Sequence, residues 1–159
     1  QLDFRSIRFP GLISAMTMPT GGTSDFIPEM IHNAVMNKPY DCFVDADTQL
    51  PFMTMPDAID AILKLMESPG DQISRKVYHI TAFAPTAGEF KAKTIAYFPG
   101  ISIGYNINEN RQKIVNTWPA DVDDSAAQND WGWKPVHDFE SAFSDYLIPG
   151  LKEFYQIQD

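Results

Sequence analysis

The sequence predicts an α/β protein, because short apolar runs alternate along the chain with longer stretches of helical periodicity. Pairs of proline and glycine separate many of these segments, as is typical of turns. Two capping patterns, Thr54 with Asp57 and Thr86 with Glu89, mark the starts of two helices. About four short strands are too few for a complete doubly wound domain, so we expect only part of one.

The first predicted strand covers residues 6–9 and ends at the Pro10–Gly11 pair. A glycine-rich stretch then precedes a helix predicted over residues 26–37, for which Asp25 is the expected N-cap. Two further extended segments are predicted at residues 40–44 and 50–53.

The helix that begins after Thr54 is predicted to extend to Glu67. Ile59 and Leu63 widen its apolar surface, so we expect it to be buried on two sides. The remaining predicted segments follow in order: a strand at 77–81, a helix at 87–98, a half-exposed strand at 101–107 and a polar helical stretch from 108.

The C-terminal part of the chain is predicted to be helical. A short helix follows Asp124 and ends at Gly132, which suits a left-handed backbone conformation. A last helix begins near Phe139, and Pro149–Gly150 is expected to kink or end it.

Composition limits the classes of function. The chain has 159 residues, 44% of them hydrophobic, so we expect residues 1–159 to form a single unit. A net charge of -9 argues against nucleic acid and anionic membranes as partners, since both require a basic face. Cys42 is the single cysteine, which excludes an internal disulfide and favours a reducing, cytoplasmic location.

Six stretches, taken in order, resemble the L-threonine 3-dehydrogenase branch of the extended short-chain dehydrogenase/reductase (NAD-dependent epimerase/dehydratase) superfamily. These are residues 8–14, 21–25, 48–59, 117–119, 123–125 and 130–135. The resemblance implies the C-terminal part of such a fold: the last strands of the Rossmann sheet plus a mixed α/β substrate-binding subdomain. The dinucleotide-binding half would then precede Gln1, and the start without methionine leads us to expect a fragment.

The resemblance also implies where ligands lie. The main chain of a Pro-Gly pair at a strand end would contact the nicotinamide of NAD, and a small glycine-lined loop with a tryptophan would hold the substrate, L-threonine. The cofactor residues are Phe9, Pro10, Gly11 and Leu12; the substrate residues are Gly22, Thr23 and Trp118. Core packing remains open for the side chains of Phe9 and Leu12, a plain turn for the loop, and a buried anchor for Trp118.

No catalytic residue is expected within this chain. It contains neither a Gly-x-x-Gly-x-x-Gly fingerprint nor a Tyr-x-x-x-Lys pair, so we expect it to be inactive by itself. No metal site is expected either, because His32, His79 and His137 are scattered and the aspartates near 123 suit a helix start. For Arg111 a surface salt bridge is favoured over the phosphate or subdomain contacts that the resemblance implies at this position.

The parent protein is thus interpreted as an NAD-dependent oxidoreductase of threonine catabolism that converts L-threonine to 2-amino-3-oxobutanoate, and the family implies a homo-oligomer. Two alternatives stay open. One is a portion of a nucleotide-sugar epimerase or dehydratase. Binding of a diphosphate would require clustered basic groups, and the 12 Lys and Arg residues of this chain are spread along the sequence. The other is a non-catalytic binding module.

Overall fold

The computed structural model describes residues 2–157 and confirms an α/β fold. The strands are β1 (Ser6–Arg8), β2 (Gly11–Ile13), β3 (Tyr40–Cys42), β4 (Phe52–Thr54), β5 (Val77–His79) and β6 (Ile103–Tyr105). The helices are α1 (Phe26–Val35), α2 (Met55–Glu67), α3 (Ala87–Tyr97), α4 (Glu109–Val115), α5 (Ser125–Trp131), α6 (Phe139–Ser141) and α7 (Ile148–Phe154). A π-helical segment, Ala142–Leu147, joins α6 to α7.

The strands pair in parallel as β1–β5, β2–β4 and β3–β6. Parallel neighbours require long crossover connections, which the helices supply. The Pro10–Gly11 pair ends β1 as predicted, but a second strand, β2, begins directly after Pro10. Because proline has no amide hydrogen, the chain leaves β5 there, and the Gly11 amide then donates to the Pro51 carbonyl at 3.0 Å.

The start of α1 differs from the prediction. Asp25 occupies the N-cap position of α1, yet its side chain makes no capping bond to the helix. Its carboxylate instead accepts bonds from the amides of Thr20 and Gly22, both of which precede it. The carboxylate therefore binds the loop of residues 20–24, called the glycine loop below, and does not cap α1.

The predicted burial of α2 on two sides is wrong. Ala58, Ala61 and Leu65 are buried, but Ile59 and Leu63 are 52% and 51% exposed. Ile62 and Met66, which have the same helical spacing, are exposed as well. The helical periodicity therefore overestimated how much of the apolar surface of α2 is buried within residues 2–157.

Local signals located the other helix ends well. Thr86 and Glu89 form the predicted capping box of α3, with bonds of 3.1 and 2.8 Å. Gly132 ends α5 in the left-handed conformation at φ 67. Pro149 does not end the last helical region: it lies in the first turn of α7, directly after the π-helical segment, where a proline is tolerated because first-turn amides have no intrahelical acceptor.

The buried side chains form two clusters. The larger one lies among β2, β3, β4, β6, α1, α3 and the C-terminal helices. The smaller one joins α2, β5 and α5 through Tyr78, Trp131 and Trp133. Ala82 packs against both, so the two clusters adjoin. None of the helices within residues 2–157 has the length and apolar character that crossing a bilayer requires.

Candidate functional site

A pocket of about 400 Å³ opens at the carboxyl ends of β1 and β5. Arg8 ends β1, His79 ends β5, and the two residues are partners in the parallel register. The pocket is lined by Arg8, Phe9, Pro10, Gly11, Ser24, Leu50, Pro51, His79, Ile80, Trp118, Pro119 and Val122. Ligands of open α/β sheets bind at this edge of the strands, and the volume suits a small ligand or one ring of a larger one.

Pro10 and Gly11 form part of this wall, and neither offers the pocket a free amide hydrogen. Pro10 has no amide hydrogen, and the Gly11 amide is used by the Pro51 carbonyl. A Cβ atom on Gly11 would overlap the ring of Phe52, its partner in β4. Packing against β4 therefore requires glycine at position 11, and an apolar surface is left toward the pocket.

Trp118 lines the same pocket and is 41% exposed. Its amide donates to the carbonyl of Val115 at 2.9 Å, so it directly continues the last turn of α4. Trp118 is therefore not the buried anchor that the sequence left open as an alternative. The buried tryptophans are Trp131 and Trp133, which are 8% and 2% exposed.

The glycine loop is held by bonds at both ends. Asp25 Oδ2 accepts the Gly22 amide at 2.8 Å and the Thr20 amide at 3.0 Å. The Gly21 carbonyl accepts a bond from Arg111 Nη2 at 2.8 Å. The amide of Gly22, one of the predicted substrate residues, is therefore already used by Asp25.

The predicted site residues separate into two groups. Phe9, Pro10, Gly11 and Trp118 come together in the pocket. Leu12, Gly22 and Thr23 do not line it: Leu12 packs against the smaller core cluster, and Ser24 represents the glycine loop at the pocket wall. Ligand contacts at all seven positions stay predictions.

Sequence reasoning missed three polar residues of the pocket, Arg8, Ser24 and His79. Arg8 Nη1 lies 3.5 Å from His79 Nε2, which brings together residues 71 positions apart in the chain. Each is the last residue of its strand. A rule that selects strand ends would have missed both, because the predicted strands end one and two residues later, at positions 9 and 81. Their pairing is not visible in the sequence, and His79 was therefore grouped with the structural histidines.

The other histidines lie elsewhere. His32 is buried in the core, and His137 contacts the buried carboxylate of Asp57. Over residues 2–157, no three histidine, cysteine or acidic side chains come together as potential metal ligands. Cys42 is buried and free, and burial raises the pKa of its thiol to about 11.

The ion pairs formed among the described residues do not include Arg111. The expected surface salt bridge is therefore wrong. The guanidinium instead bonds the Gly21 carbonyl and lies over the Phe43 ring, with its Cζ 4.2 Å from the ring centroid.

No protein-family model matches the chain. Curated proteins do match it: the mitochondrial L-threonine 3-dehydrogenase of Bos taurus is 41% identical over 139 residues. The match covers 87% of this chain and 37% of that protein. An uncharacterized epimerase/dehydratase of Staphylococcus haemolyticus is 35% identical and is matched over 96% of this chain and 48% of its own.

Solved structures agree. The holo form of an L-threonine dehydrogenase from Cupriavidus necator is 42% identical, with a TM-score of 0.86 over 91% of this chain and 47% of that one. This chain is homologous to L-threonine 3-dehydrogenases and to epimerase/dehydratases. The resemblance found in the sequence is thereby confirmed.

The chain spans 37–48% of the length of these relatives, which is consistent with a C-terminal half. A UDP-glucose 4-epimerase from Thermotoga maritima, at 13% identity and a TM-score of 0.70, shares the fold alone. The predicted fold class, part of a short-chain dehydrogenase/reductase-like protein, is confirmed by this agreement in backbone.

Proposed function

We propose that this chain forms the substrate-binding half of an NAD-dependent L-threonine 3-dehydrogenase. The observation that carries the proposal is the pocket that unites the Pro10–Gly11 main chain with Trp118. These residues come from two of the stretches on which the family resemblance rests, and they lie 107 positions or more apart. Homology to proteins named L-threonine 3-dehydrogenase supports the same conclusion.

The residues of the pocket fit a nicotinamide ring. Phe9, Pro10, Leu50 and Ile80 offer an apolar surface that suits a flat ring. NAD, when bound, supplies an acceptor for the hydride. The residues of this chain orient that ring and the amino acid beside it.

The wall of the pocket is mostly apolar, and a small zwitterionic substrate needs polar groups there to bind its carboxylate and its ammonium group. Ser24 offers a hydroxyl, and Arg8 offers a cation at the end of β1. Thr23 remains our candidate for a substrate contact, because it adjoins Ser24 and its loop is fixed by Asp25 and Arg111. Trp118 shields the space between these groups from water, which strengthens each electrostatic contact inside.

The tyrosine–lysine pair to which the family resemblance assigns proton transfer does not occur in this sequence. None of the six tyrosines is followed four positions later by lysine. We therefore propose that the tyrosine–lysine pair belongs to the other half of the parent protein and that the isolated chain is inactive.

The test is an assay of the full-length protein and of this chain alone. With NAD and L-threonine, the full-length protein should form NADH and 2-amino-3-oxobutanoate, and this chain alone should form neither. UDP-glucose in place of L-threonine should give no reaction. Turnover of UDP-glucose without turnover of L-threonine would instead favour the epimerase reading.

The epimerase or dehydratase alternative is kept because relatives at 35–38% identity have that name. It is less favoured because, within residues 2–157, Arg8 is the only arginine or lysine that lines the pocket, and a diphosphate usually requires more cations. A homo-oligomer and a cytoplasmic location remain predictions. One solved relative is named monomeric, and the bovine relative is named mitochondrial.

A further inference from the structure

Arg111 connects two parts of the molecule that are 90 positions apart. Its Nη2 donates to the Gly21 carbonyl at 2.8 Å, while the face of its guanidinium lies on the ring of Phe43. Phe43 is buried, so this ring is a fixed support. A guanidinium that is stacked and hydrogen-bonded at once has one preferred orientation, which a lysine could not reproduce.

The helix that carries Arg111 is itself anchored to the segment after β3. The Asn108 amide at the start of α4 donates to the Phe43 carbonyl at 2.9 Å. Gln112 Oε1 accepts the Asp45 amide at 2.8 Å. Val115 in the last turn is 2% exposed. These contacts fix α4 relative to the larger core cluster.

The same helix leads directly into the pocket wall. Trp118 follows α4, and its amide bonds the Val115 carbonyl. The glycine loop lacks comparable support of its own: Gly21 and Gly22 are exposed, and Gly21 has a φ of 87, a conformation that glycine adopts freely but does not enforce. The loop continues into α1, whose first residue, Phe26, is buried. Among the hydrogen bonds formed within residues 2–157, the one from Arg111 connects residues 20–24 to a part of the chain other than α1 and its N-cap, Asp25.

We propose that Arg111 is a positioning residue. It fixes the loop of Gly21, Gly22 and Thr23 to α4, so that Ser24 and Trp118 line one pocket in a constant arrangement. For its effect on turnover this inference rests on the proposed function. The attachment of the loop to α4 does not depend on any substrate.

The first experiment measures amide hydrogen exchange in residues 20–25 of the full-length protein without ligands. Arg111→Met removes the donor and the cation while it keeps an apolar chain of similar length. We expect exchange in this loop to become roughly tenfold faster. Lys113→Met is the matched control, since Lys113 lies on the same helix and is 76% exposed; it should leave the loop unchanged.

The second experiment measures steady-state kinetics with L-threonine and NAD. Arg111→Met should raise the KM for L-threonine roughly tenfold and change kcat far less, because a displaced loop weakens binding without altering the reacting groups. Arg111→Lys should lie between, since it retains a donor but cannot stack. Lys113→Met should match the wild type.

Unchanged exchange in residues 20–25 of Arg111→Met would overturn the proposal, as would faster exchange with an unchanged KM. If Arg111→Met does not fold, hydrogen exchange in residues 20–25 and the KM for L-threonine are measured on Arg111→Lys instead, and the same criteria apply. If the full-length protein does not oxidise L-threonine, the proposed function fails, and hydrogen exchange alone then decides whether Arg111 holds the loop.

Discussion

At the scale of single residues, the buried carboxylate of Asp57 accepts hydrogen bonds from several donors. It is 1% exposed, and its Oδ1 accepts the Val136 amide at 2.9 Å. Its Oδ2 accepts bonds from the His137 amide at 3.2 Å and from the Thr54 hydroxyl at 3.0 Å. The sequence suggested a capping box with Thr54, but the carboxylate serves mainly to fasten the segment after α5 to the start of α2.

We predict that Asp57→Ala lowers the free energy of unfolding of the full-length protein by about 2–3 kcal/mol, because it leaves buried donors without an acceptor. Urea denaturation followed by fluorescence would measure this. Asp71→Ala, in an exposed turn, is the control and should change stability by less than about 0.5 kcal/mol. Equal effects of the two substitutions would contradict the assigned role.

At the scale of elements, the contact between β2 and β4 determines the shape of the pocket wall. Gly11 and Phe52 are partners in register, and the Phe52 ring fills the space where a side chain at position 11 would lie. Phe52 is fully buried and also packs edge-on against Phe26 of α1 at 6.0 Å between centroids. The ring therefore cannot move aside without disturbing the larger core cluster.

Gly11→Ala should accordingly cost about 1–3 kcal/mol through overpacking. Gly70→Ala is its matched control: the nearest atom to a Cβ there is 3.8 Å away, and the left-handed region is not used. That substitution should be neutral or stabilising by up to about 1 kcal/mol, because alanine restricts the unfolded chain. Thermal unfolding of both variants checks the difference in sign, and a stabilised Gly11→Ala protein would show that packing against Phe52 does not require glycine at position 11.

At the scale of the whole molecule, His32 joins segments from both ends of the chain. It lies on α1 and is 1% exposed. Its Nδ1 lies 2.8 Å from the hydroxyl of Tyr155, after α7, and its Nε2 lies 3.3 Å from the carbonyl of Ser14, after β2. Burial lowers the pKa of His32 below its ordinary value of 6.5, although the bond to Ser14 opposes this.

The sign of the resulting pH dependence follows from proton uptake. The unfolded chain binds a proton at His32 at higher pH than the folded chain, so acid favours unfolding as the pH falls through 6.5. We predict that the wild type loses more stability between about pH 8 and about pH 5 than His32→Asn does, since asparagine does not titrate there. Urea denaturation at the two pH values measures this, with the exposed His79→Asn as control. Parallel losses in wild type and His32→Asn would contradict the prediction.

Much of the local structure could be predicted because its causes lie within a few residues of each other. The capping box of Thr86 and Glu89, the left-handed Gly132 and the bounds of α2 each depend on neighbouring side chains and backbone groups. The strand break at Pro10 has the same origin. Signals of this range also carry the family resemblance, since they are short motifs in a fixed order.

What the sequence by itself determined, then, is the alternation of strands and helices, the ends of most helices and the family. Only the tertiary structure decided that β1 pairs with β5, and hence that Arg8 and His79 meet at the pocket. It likewise decided that Asp25 serves the loop, that Arg111 bonds Gly21, and that Ile59 and Leu63 stay exposed. The physical reason is that each of these contacts could be made by several residues that are distant in the chain. Residue type restricts which groups can bond, but it does not select one of them.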